Sequence, residues 1–349
     1  RQSSRPVKTF SVGFNVPGFN EAEHAKAVAK HLGTEHNEFY VEPRNALDVI
    51  DLLPGIYDEP FADSSQIPTY IVSCMTRQQV TVALSGDGGD ELFAGYSRYA
   101  SYDRAFRQRH QGMANRLMNT LPASWVAYLT RLAKKNQREL SPALVMEKVQ
   151  RYKAGFNAAN AHTYYQQQVG YWLDPETLLK SASRLNYALD EMPEREDPIS
   201  TFQWCDINSY LPDDILVKVD RAAMANSLET RVPLLDHRLV ELSLRVPTAL
   251  NVKNGVTKQP LRTILYQYVP RELVDRPKQG FAVPVGHWLK NELRDWAEDL
   301  LSEASLNQSN VFNSALIREK WLAHLNTSHD YSFHLWSVLM FQSWYRKYM

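Results

Sequence analysis

The stretch Val80–Tyr96, VTVALSGDGGDELFAGY, decides how the rest of the chain is read. Val80–Leu84 is a short apolar run rich in β-branched residues, the composition of a strand buried in a parallel sheet. Ser85–Gly89 then places three glycines in five residues, and Glu91–Tyr96 resumes with helix-compatible residues. Strand, glycine-rich turn and helix in that order build a nucleotide pocket at the carboxyl ends of parallel strands. Glycine lets the backbone approach a phosphate closely, and the first N–H groups of the new helix attract the anion. Asp87, Asp90 and Glu91 would repel a bare phosphate. A divalent cation between them removes the conflict, because Mg²⁺ takes one or two carboxylates together with phosphate oxygens. The alternative is a plain Asp87-Gly88 turn, with Asp90 and Glu91 favouring a helix N-terminus.

Composition bounds the possibilities. The 349 residues suffice for one large domain or two. Lysine plus arginine equals aspartate plus glutamate, 39 of each. That balance argues against a general nucleic-acid surface, which needs a basic excess. Cys74 and Cys205 are the only cysteines, so neither a disulfide framework nor a cysteine-rich zinc site is expected and a reducing cytoplasm is the natural compartment. No apolar run is long enough to cross a bilayer, and no membrane partner is expected.

Upstream of the decisive stretch, Lys8–Phe14 reads as a strand with Val12 and Phe14 as core. Glu21–Leu32 reads as an amphipathic helix stopped by Gly33, and Glu38–Val41 as a second strand. Pro43 opens a helix through Leu53, and Ile67–Gln79 is a further helix. Alternating strands and helices predict a doubly wound parallel sheet. Between these elements, Asp58, Glu59 and Asp63 of YDEPFADSSQIPTY could hold a cationic group or a metal, or Asp63-Ser64 could cap the next helix. Downstream, Ser101–Ser183 is helical, with Leu117, Leu121, Trp125, Tyr128 and Leu132 near helical spacing and read as core. The acidic, proline-containing Leu185–Pro198 marks a boundary.

Tyr210–Asp236 mixes Asp213, Asp214, Lys218, Asp220, Arg221, Glu229 and Arg231 into apolar helix-forming sequence. Buried charges must be paired, so Arg221, Glu229 and Arg231 are expected in a buried ion network. Lys258 begins a helix, and Asp275–Pro284 is a tight loop that carries Lys278 between Pro277 and Gly280. A lysine on such a loop can neutralise developing charge on a phosphate, or can simply be solvated. Trp321, Phe333, Trp336, Phe341 and Trp344 read as packing of terminal helices.

Four segments together, LSGDGGDELFAGY, DEPFADSS, LPDDILVKVDRAAMANSLETRVPLLD and RPKQGF, resemble the synthetase domain of bacterial glutamine-dependent asparagine synthetases, in that family's order and over nearly the whole chain. The resemblance implies an α/β sheet of the adenine-nucleotide alpha-hydrolase (PP-loop) type. Residues 1–100 would form the nucleotide-binding core, 101–198 a helical insert, and 199–349 a mainly helical remainder. It implies binding of ATP and Mg²⁺, adenylation of a substrate carboxylate (aspartate foremost) and displacement of AMP by ammonia from an upstream glutaminase domain. By position, Val12 lies in the strand that frames adenine, with Leu84 beside it. Ser85 and Gly86 belong to the nucleotide-binding turn, Asp90 matches the Mg²⁺ ligand, and Lys278 matches the lysine on the phosphates. Asp87 stands where the family has an acidic residue near the substrate. A homodimer is compatible with it.

The family's first strand and its Ser-Gly-Gly-x-Asp-Ser pyrophosphate loop would lie just before Arg1, as would the glutaminase domain. Residues 1–349 alone are therefore expected to bind ATP weakly and form no amide, with the central sheet position unfilled or filled by a foreign strand. The alternatives are the same fold acting on another carboxylate, such as a sugar acid or a cyclising β-amino acid, and a non-catalytic nucleotide-binding module.

Overall fold

Strand β1 (Lys8–Phe14) pairs in parallel with β2 (Glu35–Val41), from Lys8 opposite Glu35 to Phe14 opposite Val41. The structure, a computed structural model, describes residues 3–14, 22–133, 142–181, 193, 195, 197–253, 255–275, 283–327 and 329–349. The crossover from β1 to β2 is α1 (Ala22–Leu32), closed by Gly33 in the left-handed conformation that ends a helix, φ 68°. Helix α2 (Pro43–Ile50) begins on a proline, where the missing N–H costs nothing, and Glu42 and Asn45 cap it reciprocally. It ends at Ile50 rather than Leu53, and a short helix, Leu53–Tyr57, takes over. After α3 (Gln66–Arg77) comes β3 (Val82–Leu84). The helices α4 (Ser97–Gln108), α5 (Ala123–Ala133), α6 (Pro142–Asn157), α7 (Ala161–Val169) and α8 (Pro198–Asn208) follow. A π-helical turn, Leu211–Leu216, leads into α9 (Val217–Met224) and β4 (Glu229–Arg231). Among shorter helices, α10 (Gln259–Leu265), α11 (Ser314–Asn326) and α12 (Ser332–Tyr348) complete the chain.

The strands form two parallel pairs, β1–β2 and β3–β4, instead of the single doubly wound sheet expected. The Lys8 ammonium donates to Gln79 Oε1 (2.9 Å) and the Gln79 amide to Asn37 Oδ1 (2.7 Å). Those bonds bring the start of β1 and the residues that lead into β3 together. Between the pairs lies a cleft of about 1020 Å³, with Val7–Phe10 on one wall and Val82–Ser85 on the other. Thr69, Val72, Ser73 and Thr76 of α3 line it as well. The decisive strand is consequently not buried: Val82 is 38% and Leu84 71% exposed. Its apolar composition fits a two-sided burial that no described residue supplies, and an uncovered apolar strand edge is a template for pairing.

The main core joins the first half of the chain to its end. Phe14, Val41, Ile50, Leu53 and Ile67 pack in one cluster with Trp288, Trp321, Leu335, Trp336 and Leu339. Trp321 and Trp336 are thus buried as read, whereas Phe333 faces the cleft and the Trp344 indole donates to the Asp58 carbonyl (2.7 Å). In the helical region the expected stripe is core only in part: Leu121 packs, half-buried, against a small cluster, and the side chain of Leu132 lies outside the described residues. Leu117, Trp125 and Tyr128 are exposed, and α5 instead buries Val126 and Ala127 against Val145 and Val149 of α6. Helical spacing was legible there, but the small residues, which let the two helices approach, form the contact. Most of the expected boundary, residues 185–192, 194 and 196, lies outside the described residues.

A third centre is polar. Asp206 of α8 is fully buried and accepts two hydrogen bonds from the Arg98 guanidinium (2.7 and 2.8 Å) and one each from the Tyr99 and Tyr165 hydroxyls. Removing one partner of a buried ion pair leaves the other charge uncompensated. Asp206→Ala is therefore expected to cost about 3–5 kcal/mol of unfolding free energy. A urea midpoint equal to wild type would show that the network contributes nothing net.

Candidate active site

The cleft gathers the residues on which chemistry can be built, because β3 ends there. Ser85 N–H still bonds back to the Arg231 carbonyl (3.0 Å), then the chain leaves the sheet and turns. Gly88 makes that turn at φ 80°, and a Cβ there would lie 2.4 Å from Leu235 Cδ2, so both conformation and space call for glycine. The Ser85 hydroxyl donates to Asp87 Oδ2 (2.7 Å), and both residues line the cleft, as does Leu84. No atom lies within 4 Å of a Cβ built on Gly86, which leaves its backbone open to a ligand.

Asp90 and Glu91 turn away from that wall. Asp90 Oδ2 pairs with the Lys258 ammonium (2.9 Å). A Cβ on Gly95 would come within 2.1 Å of both Asp90 Oδ1 and Lys258 Cε, so the pair is packed tightly against this glycine. Glu91 is buried and accepts from the Tyr96 hydroxyl (2.6 Å); burial pushes its carboxyl up, and that hydrogen bond opposes the shift. Val12 is 6% exposed within the main core, and the part of β1 that faces the cleft is Lys8–Phe10. Lys278 lies outside the described residues.

Opposite the turn stands a group that the charge pattern only hinted at. Asp63 accepts from the Ser65 backbone N–H and hydroxyl, both 2.8 Å, and from the Lys218 ammonium at 2.5 Å. Lys218, nearly buried, also sits 3.9 Å from Asp214 Oδ1. Asp63 therefore holds a cationic side chain, one of the three roles the sequence left open for it. Burial alone would push its carboxyl up, but Lys218 and Ser65 outweigh that and hold it below the usual range. Asp214 goes the other way: burial first, then the neighbouring Asp63 charge, raise it to about 7 against the opposing pull of Lys218. The expected buried network of Arg221, Glu229 and Arg231 is corrected. Arg221 pairs with Asp58 (2.8 Å) and Arg231 with Glu229 (2.6 Å), and all four side chains are about half exposed or more. The one lysine of this segment that the fold buries is Lys218. Its place among Ile215, Leu216, Val217 and Val219 was the available signal.

For a magnesium ion carried by a nucleotide, the turn presents one carboxylate to the cleft, Asp87, while Asp90 is turned to Lys258. Such an ion needs one or two protein carboxylates, and Asp87 and Asp90 lie on one turn. Among the described residues no three metal-ligating side chains gather, so a closed all-protein cage is not what this turn offers.

Parallel strands, one of them ending on a glycine-rich turn beside a cleft, define an α/β protein. The family model for asparagine synthase matches residues 1–346, and the chain belongs to that family. It is 31% identical over 348 residues to "Asparagine synthetase [glutamine-hydrolyzing] 1" of Bacillus subtilis, covering 97% of this chain and 52% of that protein. It is 30% identical over 341 residues to a putative asparagine synthetase of Mycobacterium tuberculosis, covering 97% and 50%. A more distant relative, "Amidase chyE" of Penicillium rubens, is 25% identical over 86% of this chain and 47% of its own length. The chain thus spans about half the length of these relatives. Among the described residues, no helix is long and apolar enough to cross a membrane.

Proposed function

We propose that this chain is the ATP-dependent, amide-forming half of a larger ligase. A substrate carboxylate, aspartate foremost, attacks the α-phosphorus of ATP and pyrophosphate leaves. Ammonia then attacks the acyl-adenylate and AMP leaves. The observation that carries the reading is the convergence, in a chain of the asparagine synthase family, of the Ser85–Asp87 turn with Asp63 and Lys218 on one cleft. Ser85 and the open backbone at Gly86 are suited to phosphate oxygens, and Leu84 offers apolar surface to a base. Asp90, with Asp87 on the same turn, would hold Mg²⁺, which supplies charge neutralisation on the phosphates. The ammonia would come from a glutaminase domain elsewhere in the full-length protein, and unpaired Cys74 and Cys205 agree with a cytoplasmic setting.

The test is product analysis of the full-length protein with ATP, Mg²⁺, ammonia and candidate acids. Pyrophosphate release that depends on one acid, with its amide as product, is expected. The amidase name of the Penicillium relative supports a second reading, the same chemistry on another carboxylate, and turnover with a different acid would select it. For Asp90 the expected result is specific. Asp90→Asn keeps the fold by circular dichroism while Mg²⁺-dependent ATP turnover weakens. Wild-type turnover in the variant would leave Asp90 only its pairing with Lys258.

A further inference from the structure

We propose that the outer side of the helical region, between Met113 and Leu129, docks on a membrane surface rich in anionic lipid headgroups. The inference is independent of the ligase reading and concerns where the protein works. The first observation is an apolar face that no described residue covers. The helix Met113–Thr120 exposes Met113 (85%) and Leu117, one turn apart, and α5 exposes Trp125 (65%), Tyr128 and Leu129 at helical spacing. Both helices lay a different side on one small cluster: Val126 and Ala127 of α5 belong to it, and Met118 packs against it. The exposed residues are therefore on sides turned away from the packing. Single exposed apolar residues are ordinary, but five large ones on two consecutive helices mark an interaction surface.

The second observation is charge, and it says what the face meets. The chain as a whole is balanced, 39 basic against 39 acidic residues, yet residues 104–138 hold eight lysines and arginines and no aspartate or glutamate. Arg116 follows Met113 by three residues and precedes Leu117, so it stands beside both on the exposed side of their helix. Arg104 and Arg116 form no ion pair among the described residues, whereas Arg107 pairs with Asp103. Apolar side chains that include Trp and Tyr, set among cations without an acid, have the composition of a helix lying in a bilayer interface. The rings and aliphatic chains enter the headgroup boundary while the basic groups meet anionic headgroups. A second copy of this chain is a poorer occupant, because the contact would bring like charges together. A nucleic acid would use the charges but leave Met113, Leu117 and Leu129 in water. The contact is a surface one: the two helices have 8 and 11 residues, against the roughly 20 that a span requires. The lack of a bilayer-crossing run excludes only the span.

The test is co-sedimentation of the full-length protein with vesicles of phosphatidylcholine, alone or mixed equally with phosphatidylglycerol. Affinity for the anionic vesicles is expected to exceed that for the neutral ones by about 25-fold or more, since each basic residue at such a surface is worth about fivefold. That preference should collapse between about 0.1 M and about 1 M salt, as the screening length falls from about 10 Å to about 3 Å. Trp125→Ser combined with Leu129→Ser should weaken binding to the anionic vesicles about tenfold or more, because two inserted apolar side chains are lost. Circular dichroism and amide formation without vesicles should stay at wild-type values in that variant, since both side chains are exposed and neither lines the cleft. Arg116→Glu should weaken binding to the anionic vesicles and leave the weak binding to neutral ones unchanged. Equal affinity for the two kinds of vesicle, unchanged binding by the double variant, or no sedimentation of the folded wild-type protein would each overturn the proposal. A wild-type dimer that the double variant splits would give the face to a second copy, and binding to a DNA duplex without binding to vesicles would give it to a nucleic acid; either result overturns the membrane assignment.

Discussion

Extended to the full length of its relatives, of which it spans about half, this chain is expected to pass from no detectable amide formation to ammonia-dependent synthesis. The argument is structural. β1 and β3 line the two walls of a cleft of about 1020 Å³, and each is paired in parallel with one other strand. One more parallel strand between them would join the pairs into a five-stranded sheet in the order β2, β1, new strand, β3, β4. It would cover Val82 and Leu84, and its carboxyl end would emerge beside Ser85. A loop there would add backbone N–H donors for phosphate next to the Ser85–Asp87 turn. Without it, residues 1–349 hold part of an ATP at most, and weak binding through the apolar side near Leu84 is expected. A glutaminase domain should be needed only when glutamine is the nitrogen source. Isothermal titration with ATP and an ammonia-dependent amide assay, on the 349-residue chain and on the longer one, decide the matter. Synthesis by the 349 residues alone would refute the argument. ATP binding without turnover by the longer chain would favour a nucleotide-binding module that does no chemistry.

What could be read from sequence followed from how local each signal is. β1, α1 with its Gly33 stop, α3 and β3 are fixed within a few residues by apolar spacing and by glycine and proline, and they stand where the pattern puts them. The joining of strands is not local. Nothing in VTVAL states which neighbour covers it; that a central sheet position stands open was implied by the family resemblance and not by this segment. The same holds for faces: the stripe from Leu117 to Tyr128 has helical spacing, but only the packing of α6 shows that Val126 and Ala127 are the buried side. At the site, Ser85 and Asp87 follow from one short segment. Asp63, Asp214 and Lys218 needed the fold, because a contact spanning 155 residues, from Asp63 to Lys218, leaves no periodic trace.

Lys278→Ala is expected to slow adenylation by roughly a hundredfold or more, the scale on which one charge-stabilising donor acts. The case for this lysine is the family resemblance of RPKQGF, together with the charge that adenylation develops. Negative charge grows on the phosphates as pyrophosphate leaves, and the lysines described around the turn are already engaged. Lys8 binds Glu35 (3.1 Å) and Gln79, Lys218 binds Asp63 (2.5 Å), and Lys258 binds Asp90 (2.9 Å). Withdrawing any of these would break an ion pair already made. Lys278 lies on RPKQGF, one of the segments that carry the family resemblance. Its stabilisation belongs mainly to the transition state, so acid and ATP binding should change much less than the rate. Lys278→Arg should recover only part of it, because a planar fork on a longer stem places its charge differently from a compact ammonium. Pre-steady-state pyrophosphate release in the full-length protein separates these outcomes. An alanine variant that releases pyrophosphate at the wild-type rate would remove Lys278 from the phosphates and force one of the engaged lysines, Lys258 first because it sits on Asp90, to exchange partners when ATP arrives.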